Sequence, residues 1–199
     1  MTNYANYGWG LLLLILITSC QQKSEYHRLV ERELATGERQ DSLFLGIYFG
    51  MRSQEFFDHC WQLNKKRLID QDGGELAIQY ELKDALKAPG KMNFYPTFHE
   101  GTIYEIPTTF TYHGWSPWNK SMQADSLQAD VLQLMKEWYG KGFIDVKHPT
   151  GAVAHVKVDR NRRITIYKEP LQDREVKVVF TDLIKEKELK ELQTNQSSK

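Results

Sequence analysis

The sequence predicts an α+β fold in which amphipathic helices pack on antiparallel β-meander sheet, and three observations carry this prediction. Apolar residues recur at the three-to-four spacing of a helix in residues 25–35, 53–68 and 125–138. Runs of strand-like sequence follow the second and third of these stretches. Short turns join the last four runs, and such connections favour antiparallel neighbours.

The first helix is predicted over residues 25–35, with Ser24 as its N-cap. The second is predicted over residues 53–68. Its apolar side is expected to pack on the core and consists of Phe56, Phe57, Cys60, Trp61, Asn64 and Leu68. Between these helices, residues 43–51 are almost wholly apolar, which favours a buried strand or extended segment that turns sharply at Gly50.

The third helix has the clearest pattern. Asp125 and Gln128 have the spacing of a capping box, and Gly140 stands where a helix commonly ends. The apolar stripe of this helix consists of Leu127, Val131, Leu134, Met135 and Trp138. The spacing therefore predicts a helix that packs on the sheet.

The strand-like runs fall into two sets. They are residues 76–82, 92–98 and 103–112, and then 143–147, 152–158, 163–168 and 175–180. Pro96 and Pro107 cannot donate to a ladder, so they predict edges or bulges. A turn is predicted at residues 70–74, and a fraying helix with a loose tail is predicted after residue 184.

Each set of strands follows an amphipathic helix. The chain therefore divides into two α-then-β halves, residues 25–118 and 119–184, followed by a charged and polar tail at residues 185–199. This order is that of a diverged repeat, although residue similarity between the halves is too weak to show one.

An apolar run over residues 11–17 precedes Thr18, Ser19 and Cys20. A signal peptide needs an apolar core of roughly 7–15 residues, whereas a membrane-spanning helix needs about 20. The run therefore predicts that residues 1–19 are a signal peptide.

The tetrapeptide Ile17-Thr18-Ser19-Cys20 resembles the lipobox of bacterial lipoproteins. This resemblance implies cleavage after Ser19, diacylglycerol on the Cys20 sulfur, and a lipidated tether over residues 20–24 that anchors the chain in a membrane. Gln21 follows the cysteine where an Asp would favour the inner membrane, so the family rule favours the outer membrane. The alternatives are an ordinary secretory signal and an uncleaved N-terminal anchor.

The stretch Phe49-Gly50-Met51-Arg52-Ser53-Gln54-Glu55-Phe56 resembles the start of the second helix in BamE-like small lipoproteins and in the related β-lactamase-inhibitor-protein fold. Gly50, Met51 and Glu55 fit that pattern. Arg52 replaces the expected capping hydroxyl, so Ser53 is expected to cap one residue later. The resemblance implies helices on an antiparallel sheet and a scaffolding or inhibitor-type role. The chain also resembles uncharacterised lipoproteins, which imply no function.

Charge and cysteine content exclude some classes. Lys plus Arg and Asp plus Glu both number 26, so the clustered positive charge that nucleic-acid binding requires is not indicated. If lipid occupies the Cys20 sulfur, Cys60 has no internal disulfide partner. Burial must then stabilise the fold.

The pair His59-Cys60 suggests a weak thiol hydrolase, because a cysteine nucleophile needs a nearby base. Adjacent helical residues point about 100° apart, however, and Cys60 falls on the apolar stripe, so a buried structural thiol is favoured. The histidines at positions 99, 113, 148 and 155 lack the spacing of a metal site. No metal or cofactor is predicted.

Two groups of residues are candidates for partner binding. Trp115 and Trp118 lie in a Pro-containing loop, and they form either an interface patch or packing at the end of the sheet. Arg160, Arg162 and Arg163 cluster at a hairpin tip, and they bind phosphate-like groups or are simply solvated.

These observations predict a lipid-anchored cell-envelope protein that binds or scaffolds another envelope macromolecule and does not catalyse a reaction. One alternative is a periplasmic inhibitor or ligand-binding module, which would show a deep apolar pocket or a concave sheet face. The other is the Cys60 thiol hydrolase.

Overall fold

The computed structural model describes residues 24–71, 77–147 and 151–197. In chain order the elements are α1 Glu25–Leu34, α2 Ser53–Lys65, β1 Asp70–Gln71, β2 Ile78–Leu82, β3 Gly90–Phe94, β4 Thr97–His99, β5 Thr102–Tyr112, a 3-10 turn Lys120–Met122, α3 Ala124–Tyr139, β6 Ile144–Lys147, β7 Val153–Asp159, β8 Arg162–Tyr167, β9 Glu175–Asp182 and α4 Leu183–Ser197. The α+β class is confirmed. Several predictions fall outside the described residues: the signal peptide, Cys20 and most of its tether, residues 72–74 of the predicted turn, Leu76 and His148. The other two residues of that turn, Asp70 and Gln71, form β1, so the turn prediction is wrong for them.

The nine strands form one antiparallel sheet in the order β1-β2-β3-β5-β9-β8-β7-β6, and β4 pairs with β5. β6 to β9 are neighbours in chain order, as their short turns predict. β5 belongs to the first predicted half and β9 to the second, and the two strands pair side by side, with Phe110 facing Val176. The core is therefore continuous across the two halves.

Pro107 lies in a central strand, because β5 pairs with β3 and β4 on one side and with β9 on the other. Of the two predicted alternatives, an edge is therefore wrong for Pro107, whereas a register shift of the bulge type does occur nearby in the β4–β5 pairing, between Thr97 and Phe98. β3 and β4 are interrupted at Tyr95-Pro96 opposite Ile106-Pro107, and the ladder then resumes with Thr97 facing Glu105. The missing amide is tolerated because the facing strand is itself broken there.

One face of the sheet, which we call the inner face, carries the main core. Helix α3 packs on it through residues that the apolar stripe predicted, namely Leu127, Val131, Leu134 and Met135. Their partners on the strands are buried and include Phe110, Ile164, Ile166, Val176, Val178 and Phe180. Alternate residues of each strand point to this face. A shift of one residue in strand pairing would move these apolar side chains to the other face, so their burial under α3 fixes the strand register.

The capping box predicted for α3 is wrong. Gln123 is the N-cap residue and makes no side-chain cap hydrogen bond. Gln128 is buried and its Nε2 donates to the Val153 carbonyl at 3.1 Å, while Asp125 pairs with Lys168. Gln128 therefore contacts strand β7, and Asp125 contacts the residue that follows β8. The helix stops at Gly140 as predicted.

Residues 43–51 are buried as predicted but are not extended. The chain folds back on itself, with left-handed φ angles of 53° at Leu45 and 83° at Gly50. Phe44 packs at ring-centroid distances of 5.0 Å from Phe94 and 5.3 Å from Phe180. A compact loop buries more of these apolar side chains at one place than a strand would, since strand side chains alternate between two faces.

Helix α2 buries a narrower side than the sequence predicts. Phe56 and Leu63 are buried, whereas Phe57 is 48% exposed, Trp61 is 60% exposed and Leu68 lies beyond the helix. Ser53 is not the cap. Arg52 is the N-cap residue without a side-chain hydrogen bond, and the Ser53 amide donates to the Gly101 carbonyl at 2.8 Å.

The opposite, outer face carries α1 and borders α4. Ser24 caps α1 as predicted, accepting from the His27 amide at 3.3 Å. The apolar side of α1 packs with Val156, Val158 and Leu183. α4 continues to Ser197 where a loose tail was predicted, and i,i+4 ion pairs such as Lys190 with Glu186 support it.

Candidate functional site

Part of the outer face forms a groove of about 890 Å³, which we call the sheet groove. It lies over β3, β5, β9 and β8, and no helix of the described chain is among its lining residues. The side chains that point into it are mostly polar, because they alternate with the buried core residues along each strand. The polar ones are Lys91, Asn93, Thr109, Thr111, Tyr167, Glu175 and Lys177, and the apolar Pro107 and Val179 lie on the same face.

These side chains form rows that cross the strands. One row follows the residue pairs Gln79, Asn93, Thr109, Lys177 and Tyr167, from β2 to β8. Adjacent strands are about 4.8 Å apart, so the row is roughly 19 Å long. The sheet groove therefore matches an extended ligand better than a compact one.

Hydrogen bonds hold the cations of the sheet groove in place. Lys91 Nζ donates to Gln79 Oε1 at 2.9 Å. Lys177 Nζ donates to Thr109 Oγ1 at 3.0 Å and lies 3.1 Å from Glu175 Oε2. Such contacts limit the rotamers that each lysine samples, which lowers the entropy cost of binding.

The predicted tryptophan loop, residues 114–119, lies beside the sheet groove. Trp115 Nε1 donates to the Asp173 carbonyl at 2.9 Å. The guanidinium of Arg174 lies 4.7 Å from the Trp115 ring centroid, and Arg174 also lines the sheet groove. Trp118 is 85% exposed, so it does not pack at the end of the sheet.

The three hairpin arginines do not lie at this site, and they do not form a common patch. Arg160 Nε donates to Glu38 Oε2 at 2.6 Å. Arg162 is buried, contacts Asp159 at 2.9 Å and lies over the Tyr139 ring, and burial lowers its pKa. Arg163 lies on the outer face and pairs with Glu186 at 2.9 Å. Each guanidinium is thus engaged by a carboxylate of this chain.

Cys60 and His59 do not form a nucleophile and base pair. Burial raises the pKa of the Cys60 thiol to about 11, which disfavours the reactive thiolate at neutral pH. His59 Nε2 donates to the Leu45 carbonyl at 2.7 Å. The geometry therefore matches a structural thiol.

The other described histidines lie apart from one another. His113 pairs with Glu81 at 2.8 Å and His155 with Asp145 at 2.7 Å, while His99 lies 3.8 Å from Glu100. Within residues 24–71, 77–147 and 151–197, no three His, Cys, Asp or Glu residues are grouped so as to hold a metal ion.

Sequence reasoning missed the outward-facing residues of the sheet groove. Alternation in residues 103–112 and 175–180 marks Thr109, Thr111 and Lys177 as facing away from the core. What the alternation does not reveal is that β3, β5, β9 and β8 are neighbours. Strand order alone assembles these separate side chains into one surface.

The fold and the groove together define an α+β protein with part of one sheet face open and polar. Comparisons of the chain with protein-family models, curated proteins and solved structures find no match. Among the helices that the structure describes, none combines the length and apolar character required to span a bilayer.

Proposed function

We propose that this chain is a lipid-anchored cell-envelope protein whose folded part binds another envelope macromolecule through the sheet groove, without catalysis. The lipid is joined to the Cys20 sulfur, and the outer membrane is its location. The observation that carries the binding role is a groove of about 890 Å³ on an open sheet face, with an exposed tryptophan in the adjacent loop.

Support comes from the chemistry of this surface. Trp118 is a large, rigid side chain at 85% exposure, and tryptophan is enriched among residues that dominate interface binding energy. The polar rows of the sheet groove supply hydrogen-bonding groups whose positions are already restrained. A binding interface usually combines an aromatic side chain that becomes buried when the partner binds with polar contacts around it.

A periplasmic inhibitor or ligand-binding module is the second candidate, and the same open sheet face favours it. The first candidate binds an envelope macromolecule, whereas a ligand-binding module binds a smaller molecule. The Cys60 thiol hydrolase has less support, because burial keeps the thiol protonated and His59 is bonded elsewhere.

The binding role is tested by cross-linking in native cells, followed by purification of the tagged protein from detergent-solubilised envelope. We expect the wild type to capture a defined envelope component, and Trp118→Ala and Trp115→Ala to reduce the yield at least about fivefold. Trp138→Ala is the matched control, since Trp138 is partly exposed on α3 and is not among the residues that line the sheet groove. Equal loss in the control, or no captured component, contradicts the proposal.

The lipid anchor is tested by mass spectrometry of the N-terminal peptide from protein made in its native host. Cys20 is expected to carry diacylglycerol, and Cys20→Ser is expected to release the protein from the membrane fraction. An unmodified cysteine in the mature protein contradicts the anchor.

A further inference from the structure

We propose that the ligand of the sheet groove is an anionic glycan chain; this rests on the proposed binding function of the sheet groove. The rows of polar side chains, the local excess of positive charge and the aromatic rings along the groove lead to this assignment.

The charge of the sheet groove differs from that of the whole chain. Acidic and basic residues balance in the sequence, at 26 each. The groove lining, in contrast, contains the cations Lys91, Arg174 and Lys177 and the single carboxylate Glu175. Lys177 pairs with Glu175, and Glu81 faces Lys91 in the strand register, so the excess of positive charge lies at Arg174. An anionic group is therefore favoured at Arg174, because it complements that charge.

Arg174 is the cation best placed to bind such a ligand. Its guanidinium packs on the Trp115 ring at 4.7 Å, and in the described chain no carboxylate forms an ion pair with it. A guanidinium stacked on an aromatic ring keeps its edge available for two parallel hydrogen bonds to a carboxylate. Packing on the ring also restrains the orientation of the planar guanidinium group.

The remaining polar groups suit the hydroxyls of sugars. Thr109, Thr111 and Tyr167 present hydroxyl groups, which both donate and accept hydrogen bonds, and Asn93 presents an amide. These groups lie in two adjacent rows about 19 Å long at most, with neighbouring strands about 4.8 Å apart. A chain of several sugar rings offers hydroxyl groups along that whole length.

Aromatic rings complete the glycan-binding character. Tyr95 and Tyr167 line the sheet groove, and Trp118 is exposed in the loop beside it. Such rings combine an apolar face with a polar atom. The apolar C–H faces of a sugar pack against ring faces while its hydroxyls remain hydrogen-bonded.

A polypeptide ligand fits this surface less well. Each strand beneath the sheet groove is paired on both sides, so no unpaired strand edge is available there for an added β-strand. Recognition must then use side chains alone.

The test is isothermal titration of the purified, detergent-solubilised full-length mature protein with three polymers: oligogalacturonate, neutral dextran oligosaccharide and poly-glutamate. We expect oligogalacturonate to bind, and to bind more weakly as salt is raised. Dextran is expected to bind at least about tenfold more weakly. Poly-glutamate is expected to bind more weakly than oligogalacturonate, because it lacks sugar hydroxyls.

Variants then locate the site. Arg174→Gln and Lys177→Gln are each expected to weaken oligogalacturonate binding about tenfold, equivalent to about 1.4 kcal/mol. Lys187→Gln is the matched control, because this exposed lysine lies on α4 away from the sheet groove. Circular dichroism melting checks that each variant folds.

Two results overturn the glycan proposal: no binding of oligogalacturonate, or binding that the control weakens as much as the groove variants do. Tighter binding of poly-glutamate also overturns it and identifies an acidic polypeptide ligand. If a protein partner is captured through Trp118 while every glycan fails, the binding function stands and only the ligand class falls. If oligogalacturonate binds at the groove but the cross-linking yield falls equally in the tryptophan variants and in their control, the glycan site stands and capture through the tryptophan loop is contradicted.

Discussion

Burial decides the reactivity of Cys60. Its pKa of about 11 lies two units above the ordinary value of 9.0, so the thiolate fraction near neutral pH falls about 100-fold. The thiolate of a thiol with a higher pKa is also more nucleophilic, so we predict that iodoacetamide labels native Cys60 about tenfold more slowly than the unfolded chain at pH 7.5. Mass spectrometry of labelling time courses measures both rates. Comparable rates would revive the thiol-hydrolase alternative.

Position 90 requires glycine because the backbone of a neighbouring strand lies too close for a side chain. A Cβ atom there would stand 2.6 Å from the Thr111 carbonyl oxygen, which is backbone of the paired strand β5 and cannot swing away. Gly90→Ala is expected to reduce the free energy of unfolding by about 1–3 kcal/mol. Urea unfolding measures the change.

Gly114→Ala serves as the control for Gly90→Ala. A Cβ atom at Gly114 meets no heavy atom within 4 Å, and its backbone does not adopt a left-handed φ. Its unfolding free energy should stay within about 0.5 kcal/mol of the wild type. Equal losses in the two variants would mean that the close contact at Gly90 is not the cause.

At the scale of elements, α2 carries two adjacent phenylalanines with opposite environments. Phe56 is fully buried and packs on Tyr95 and Phe98, whereas Phe57 is 48% exposed. We predict that Phe56→Ala lowers the free energy of unfolding by about 3–5 kcal/mol and Phe57→Ala by about 1 kcal/mol or less. Chemical denaturation of both variants tests the orientation of the helix. Reversal of the order would contradict it.

Helix α4 is joined to the sheet by a titratable contact. Arg163 donates to both carboxylate oxygens of Glu186 at 2.9 and 3.1 Å. Burial of Glu186 opposes its ionisation, but hydrogen bonds from Arg163 and Lys190 outweigh burial and lower its pKa. The native state therefore binds fewer protons than the unfolded state near the ordinary pKa of about 4.3.

This contribution to stability is present above the ordinary pKa of Glu186 and is lost as pH falls through the lowered native value. Glu186→Gln should therefore destabilise the protein at pH 7 and lose most of that effect at pH 3. Urea unfolding at the two pH values measures the difference. Glu188→Gln, a more exposed neighbour on α4, is expected to show a smaller pH-dependent difference. A constant effect of Glu186→Gln at both values would refute the assigned contact.

At the scale of the whole molecule, Asn161 joins three distant segments. It is fully buried, accepts from the Gln40 amide at 2.6 Å, and donates to Asp41 at 2.9 Å and Asp182 at 3.2 Å. The segment after α1, the β7–β8 turn and the end of β9 thus meet at one amide. Buried polar groups that lose such a partner keep their desolvation cost.

We predict that Asn161→Ala lowers the free energy of unfolding by about 1–3 kcal/mol, since it leaves the Gln40 amide and the Asp182 carboxylate short of a partner. Proteolysis between α1 and α2 should also accelerate, because this segment loses its attachment. Asn195→Ala, at an exposed position of α4, is the control. An effect no larger than that of the control would show that the network does not tie the segments together.

The prediction of elements succeeded where a single stretch of chain contains the signal. The apolar stripe of α3, the Ser24 cap and the β6–β9 meander follow from spacing and turn length. The extended form predicted for residues 43–51, the edge position predicted for Pro107 and the broad apolar side predicted for α2 were wrong, because neighbours distant in sequence decide each of them. The sheet groove was missed for the same reason.

The sequence by itself determined the type and order of most elements and which side chains along each strand share a face, since the period of a helix or strand is a local property of the backbone. Only the tertiary structure decided that β5 lies beside β9, that Trp115 lies under Arg174, and that the outward rows form one polar groove. Those arrangements depend on the total free energy of strand pairing and side-chain burial over the whole core. A pattern within one short stretch of sequence cannot predict that total, because most of the contacts join residues far apart in the chain.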